Sequence, residues 1–283
     1  MGRIKLALAF FALVLCAIGA LAAYYYWENY MRPDLAVARR IEERPLAGQE
    51  QVDVGRRHFT AALALLEEGE LISARDRLIY LLTYFPESAS TGEARRIVGE
   101  INLDLLLSKI PLPEKTTHLV RPGQAMVTIA RNYKTTIDYI MRVNGKTNTL
   151  IYAQEELIVH PLTDFRVEIR VADGEVDVLR GDEFFKRYSI VDTHLPPTMR
   201  APISTSISEK VAWFGDRPLN FEDLDYLNAT KWIRTGKIGL FIRMPTENLE
   251  EGAKKPYGVM LAKSDIEELF TILRNGSSVR LIN

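Results

Sequence analysis

Between Leu6 and Tyr26 the chain carries no charged residue, and no other stretch limits the fold as strongly. A run of about 21 residues at ~1.5 Å per residue matches a hydrocarbon layer of ~30 Å, so this segment is predicted to cross a bilayer rather than join a water-soluble core. Arg3 and Lys5 precede it, while Tyr24, Tyr25, Tyr26 and Trp27 follow it like an interfacial aromatic belt. That asymmetry keeps the N-terminus in the cytoplasm. The expected arrangement is a single-pass signal anchor in the inner (cytoplasmic) membrane within residues 1–30, a charged tether over 31–48, and the bulk of the chain on the periplasmic or extracytoplasmic side. A cleaved signal peptide is the competing reading, because Ala20, Leu21, Ala22 and Ala23 place small residues at the end of the apolar run.

The remaining chemistry is bounded by counting. The 283 residues hold 36 Lys plus Arg against 37 Asp plus Glu, so no broad field draws in a polyanion and nucleic acid is not an expected partner. Cys16 is the one cysteine, which excludes disulfides within the chain and thiolate metal sites. Leu15 stands where a lipoprotein signal has a small residue, so Cys16 reads as a membrane thiol. Four scattered histidines show no ligand spacing and no glycine loop cradles a phosphate, so no metal and no cofactor are expected.

From 49 to 110 the pattern is helical. Phe59, Leu63, Leu65 and Leu66, then Leu78, Leu81 and Leu82, recur at helical spacing, with Gly69 and Glu70 at a turn and Pro86 as a stop. With small Ala61, Ala62 and Ala74 at the crossing, this helical hairpin resembles a single tetratricopeptide repeat. Such a unit cannot bury its apolar face alone, and a third helix from Glu93 to Leu107 is predicted to cover it. A spacer bundle and a peptide-binding groove are both open for this region.

After Pro111 and Pro113, residues 117–161 read as strand, helix, helix, strand. Leu119 and Val120 lead into Arg121-Pro122-Gly123; Met126, Ile129, Ala130 and Tyr133 form one helical face, and Ile137, Ile140 and Met141 another that runs to Asn144. Leu157-Ile158-Val159 closes the segment before Pro161. In order and spacing this stretch resembles a LysM module. The resemblance implies binding of N-acetylglucosamine-containing glycan chains, peptidoglycan here, in a shallow groove between two loops: Gly123, Gln124, Ala125, Met126 and Val127, and Asn148, Thr149, Leu150, Ile151 and Tyr152. Backbone amides would bond the acetamido group while Met126, Ile151 and Tyr152 cover its methyl and ring faces. Gln124 and Ala125 depart from the family's common Asp and Thr, which removes a helix-capping pair.

Residues 164–283 are predicted to be mostly β with one late helix. Strands fall over 166–171, 176–179, 187–191 and 279–282, and Ser264 is placed to cap a helix carrying Ile266, Leu269, Phe270 and Leu273. The opening strands, Asn228-Ala229-Thr230-Lys231-Trp232-Ile233, Gly258-Val259-Met260-Leu261 and Asn275-Gly276-Ser277-Ser278-Val279 together resemble the catalytic domain of the L,D-transpeptidases, which cross-link peptidoglycan stems through a cysteine acyl-enzyme. That resemblance implies a His-Gly pair after one strand and a Ser-His-Gly-Cys run after another. Ile242-Arg243-Met244 stands at the first place and Pro256-Tyr257-Gly258-Val259 at the second, so Arg243 and Tyr257 occupy the family's histidine positions and Val259 its nucleophile position. Valine offers no lone pair for acyl transfer. Arg243 is either a fork for a peptide carboxylate, with Tyr257 beside it, or simply a surface or salt-bridged residue.

The expectation is therefore a multidomain α+β chain: a transmembrane helix, a tetratricopeptide-like hairpin, a LysM βααβ module and a degenerate L,D-transpeptidase-like domain. It is expected to bind peptidoglycan at the cell wall as a pseudoenzyme. A divergent enzyme with relocated residues and a scaffold recruiting other cell-wall enzymes are the alternatives.

Overall fold

A computed structural model describes residues 16–25, 53–245 and 255–282. Of the predicted membrane span only 16–25 lies within them, as a helical segment with exposed apolar side chains; the rest of the span, the tether and residues 246–254 lie outside the described residues. Among the described residues no helix is long and apolar enough to cross a membrane.

Three helices come first: α1 (Val54–Glu67), α2 (Leu71–Tyr84) and α3 (Thr91–Leu107). The Asp53 carboxylate caps α1, accepting from Arg56 N at 3.1 Å, and also accepts from the Ser88 hydroxyl at 2.9 Å, so the start of α1 is tied to the turn before α3. Gly69, at φ +80°, makes the α1–α2 turn in a conformation costly for other residues. Helix α2 ends before Pro86, as expected. Ala62, Leu78, Leu81, Ala94, Val98, Ile101 and Leu105 form the core of this bundle, with α3 covering the hairpin.

A βααβ unit follows: β1 (Thr116–Leu119), α4 (Met126–Asn132), α5 (Ile137–Val143) and β2 (Glu156–Val159). The strands are antiparallel, with Thr116 opposite Val159 and Leu119 opposite Glu156. The Asn144 side chain joins the layers: its amide donates to the Ile140 and Ile158 carbonyls at 2.8 and 2.9 Å, and its oxygen accepts from Ile158 N at 2.8 Å. This one residue ends α5 and pins β2.

The C-terminal part contains β3 (Phe165–Arg170), β4 (Glu175–Arg180), β5 (Glu183–Ser189), β6 (Asp192–His194), β7 (Ile203–Phe214), β8 (Arg217–Leu219), β9 (Thr230–Thr235), β10 (Phe241–Arg243), β11 (Gly258–Met260), α6 (Lys263–Ile272) and β12 (Ser278–Ile282). Together they make one mixed, curled sheet in the order β5-β4-β3-β12-β7-β9-β10-β11-β6, with β8 hairpinned onto β7. Two pairs are parallel, β12 with β3 and β10 with β11. The long β7 carries the sheet from one half to the other: Ile203 to Ser206 pair with β12, and from Ile207 onward the strand pairs with β9, with a register shift between Ile207 and Glu209. Its Ser204, Thr205, Ser206 and Ser208 give no apolar alternation, so patterning does not announce the central strand of the sheet.

Two local expectations are corrected. Helix α6 begins one residue earlier than Ser264: Ala262 is its N-cap and the Ser264 hydroxyl turns to the Asp265 carboxylate at 3.1 Å. The strand predicted over 187–191 instead runs from Glu183 to Ser189, with Phe185 packed into the shared core and Phe184 against the helical-bundle core.

The three regions share apolar packing. Leu103 and Leu106 of α3 leave the first core and join the cluster that contains Met126, Tyr139 and Leu157 of the βααβ unit and Phe165, Ile233 and Leu269 of the sheet domain. Polar ties follow the same seams: Tyr139 Oη donates to the Leu106 carbonyl at 3.1 Å, Asn102 Nδ2 to the Phe185 carbonyl at 2.8 Å, and Lys186 Nζ lies 2.8 Å from Glu100 and 2.9 Å from Glu268. Small faces that cannot pay the entropy of folding singly are here buried against one another.

Candidate functional site

Two places hold the residues singled out from sequence. The first is the pair of loops at the open end of the β1–β2 ladder. Gln124 Oε1 accepts from Arg121 N at 2.8 Å and meets His118 Nε2 at 2.9 Å, so Gln124 braces the first loop from inside. The second loop is held by Asn148 Oδ1, which accepts from Leu150 N at 3.0 Å, and by Glu155, which accepts from Tyr152 N at 2.9 Å while pairing with Lys146. That pairing holds the Glu155 carboxyl below its ordinary value, with the Lys146 hydrogen bond as the main cause. Tyr152 is 63% exposed and Leu150 56% exposed, with Gly123 and Ala125 also open to solvent. Met126 requires a correction. Expected to cover an acetamido group, it is 2% exposed and packed in the core, because its place at the first turn of α4 turns its side chain inward. Ile151 and Val127 are half-buried.

The second place is the junction of β10 and β11. Their parallel pairing sets Ile242 beside Val259 and Arg243 beside Met260, so the Arg243, Tyr257 and Val259 segments are neighbours in space. Gly258 has φ +145°, and a Cβ there would stand 2.9 Å from the Phe241 carbonyl and 3.2 Å from Arg243 Nε. The close approach of the two strands requires glycine. Val259 is fully buried hydrocarbon.

Arg243 is also fully buried. Its Nε donates to the Tyr257 carbonyl at 3.1 Å, Nη1 to the Met244 carbonyl at 2.8 Å and Nη2 to the Pro256 carbonyl at 2.6 Å, with the guanidinium 5.2 Å from the centre of the Trp232 ring. Burial pulls this guanidinium below its ordinary value, and the charge of Asp192 acts against the shift. The fork thus grips backbone carbonyls on both strands' flanks. A guanidinium so engaged braces the loop around 256–257, and its solvent-facing use by a ligand carboxylate would require breaking these bonds.

His194, which no sequence motif marks, joins this locus through the sheet. Strand β6 pairs with β11, His194 opposite Gly258, and the His194 ring stands edge-on to Tyr257 with centroids 4.9 Å apart. Asp192, at the other end of β6, pairs with Lys255. Nothing local in the sequence signals this, since it depends on which edge β6 joins. Among the described residues no group of His, Cys, Asp or Glu is placed to hold a metal ion.

No protein-family model matches the chain and no curated protein does. Parts of it are similar to solved structures. An L,D-transpeptidase from Stackebrandtia nassauensis is 16% identical over 43% of this chain and 56% of that one, with a TM-score of 0.31. A fused Zn-dependent amidase/peptidase/peptidoglycan-binding domain-containing protein from Clostridium acetobutylicum ATCC 824 is 12% identical over 42% and 52%, also at 0.31. A mutant L,D-transpeptidase from Enterococcus faecium is 16% identical over 48% and 54%, at 0.30. This chain thus spans just over half the length of each. No residue role transfers across likeness of this extent.

Proposed function

We propose that this chain is a membrane-anchored protein of the cell envelope that binds peptidoglycan glycan through residues 117–161 and performs no acyl transfer in residues 164–283. The observation that carries the binding half is the open loop pair of the βααβ unit, where Tyr152 and Leu150 stand exposed on a loop braced by Asn148 and Glu155. An aromatic face and a short aliphatic one suit an acetamido sugar, whose recognition needs apolar contact and amide hydrogen bonds rather than charge. This is the same LysM-type reading that the sequence supports, with Tyr152, Leu150 and the 123–125 backbone as its surface and without Met126.

The non-catalytic half rests on side-chain chemistry. Val259 supplies no nucleophile, Arg243 supplies no base, and Cys16 lies at the far N-terminal end of the chain. The anchor rests on the uncharged run from Leu6 to Tyr26.

The full chain in detergent, incubated with purified insoluble peptidoglycan and pelleted, tests the reading. Tyr152→Ala and Leu150→Ser are suited to it because both side chains are exposed, so the fold should survive. Tyr152→Ala is expected to weaken retention by about tenfold, the scale of one lost aromatic contact of ~1.4 kcal/mol. Undiminished retention by both variants would remove the loops from the binding surface. Release of cross-linked or cleaved products from muropeptides would overturn the non-catalytic half, and His194 beside Tyr257 would then be the first pair to substitute.

A further inference from the structure

A cleft of about 430 Å³ lies where helices α4 and α5 face β7 and α6, within the range of ~300 to 1,000 Å³ usual for small-molecule sites. It shares only Val127 with the two loops described above. Its charged lining is unequal: Arg131, Lys210 and Arg274 against the single carboxylate of Asp138.

That carboxylate is already committed. Tyr226 Oη donates to Asp138 at 3.0 and 3.2 Å, and Lys210 Nζ and Lys231 Nζ each lie 3.8 Å from it. Lys231 is matched a second time by Glu267, but Glu267 does not line the cleft. Neither Arg131 nor Arg274 has a carboxylate partner among the described residues. Lys210, in turn, reaches a full hydrogen bond only to the Phe270 carbonyl, at 2.5 Å. Burial pushes its ammonium down to about 8, with the charges of Lys231 and Arg274 adding to the effect and Asp138 opposing it. A positive cleft with one shared acid favours an anion.

The uncharged lining narrows the class further. Thr135 is 7% exposed and lines the cleft with a hydroxyl that meets no hydrogen-bond partner among the described residues. A buried hydroxyl left in this state costs stability unless something supplies the missing bond. Asn220 and Asn275 add amide groups that both donate and accept, while Phe221 and Phe270 give an apolar wall. A bare inorganic anion would match the cations, the hydroxyl and the amide N–H groups, but leave the amide carbonyls and the aromatic wall unused.

We propose that this cleft binds the free C-terminal carboxylate of a short peptide, with Lys210 and Arg274 holding the carboxylate, Thr135, Asn220 and Asn275 the peptide groups, and the phenylalanines an apolar side chain. The site lies between the βααβ unit and the sheet domain, so its occupant would be gripped by both. The proposal stands apart from the glycan reading and does not depend on it.

Calorimetric titration of the full chain in detergent with N-acetyl-leucyl-alanine, with its C-terminal amide, and with inorganic phosphate tests the site. The acid should bind saturably, and the amide and phosphate each about tenfold more weakly or worse, since each lacks half of the recognised chemistry. Arg274→Gln, at a half-buried position, should weaken the acid by about tenfold while its circular dichroism matches that of the parent. At pH 8, binding should take up protons onto Lys210, seen as a dependence of the heat on the buffer's ionisation enthalpy, and Lys210→Met should abolish that uptake. Equal binding of acid and amide, phosphate binding as tightly as the peptide, or no effect of Arg274→Gln would each overturn the proposal. So would the absence of saturable heat, even if retention on peptidoglycan is intact.

Discussion

A guanidinium with no exposed surface persists only where its donors are met, and Arg243 meets that condition with the carbonyls of Met244, Pro256 and Tyr257. Replacing it with methionine keeps much of the volume and strands those carbonyls. Arg243→Met is expected to lower unfolding stability by about 3 kcal/mol, read as a shift of the urea midpoint, with Arg243→Lys recovering only part because an ammonium cannot span the same fork. An unchanged midpoint would mean that the carbonyls find water instead. His160 gives a second expectation at this scale. Its ring is fully buried, and burial first, then the charge of Arg180, pushes it down to about 4 from an ordinary 6.5, against the opposing charge of Glu114. Between those values the unfolded chain binds more protons than the folded one, so the contribution of neutral His160 is complete above pH 6.5 and is lost as pH falls toward 4. The loss amounts to about 3 kcal/mol at most, at ~1.4 kcal/mol per unit. Chemical unfolding at several pH values should show this slope in the parent and a flatter one in His160→Leu.

At the scale of elements, what was legible followed from periodicity and punctuation. Helices α1 to α3 announce themselves through apolar residues at helical spacing and through Gly69 and Pro86, and the βααβ order through two short helical faces between apolar strands. Asn144 was legible only as a stop; that its side chain would also fasten β2 depends on a contact with Ile158 that spacing does not encode. Strand β7 was hidden because the stretch that pairs with β12 carries Ser204, Thr205 and Ser206, and its place in the middle of the sheet is set by pairing with β12 and β9, both remote in sequence. The motif segments single out Arg243, Tyr257 and Val259, and the pairing of β10 with β11 sets those segments side by side. His194 carries no such signal, since a three-residue edge strand leaves no pattern. Met126 was read both as part of the helical face and as part of the sugar-covering loop; the helical reading holds, and its direction takes the side chain into the core.

For the whole molecule, the seams between regions matter more than their separate cores. Leu103 and Leu106 each bury a side chain worth roughly 1.5 to 3 kcal/mol in the shared cluster. A fragment beginning after α3, at residue 111, is therefore expected to melt at a lower temperature than the full chain and to bind a hydrophobic dye at the uncovered surface. Equal midpoints would instead make the helices an independent unit. The shared packing also explains why point substitutions on exposed loops report on binding more cleanly than removal of residues 117–161, which would open the core they help to build. Because Thr116 stands opposite Val159, the chain enters and leaves the βααβ unit at one end of the ladder, and the 123–127 and 148–152 loops sit at the other. Tension along the backbone is thus carried across that entry point as across the neck of a hook. The loops hang off the line of force, separated from it by the length of the β1–β2 ladder.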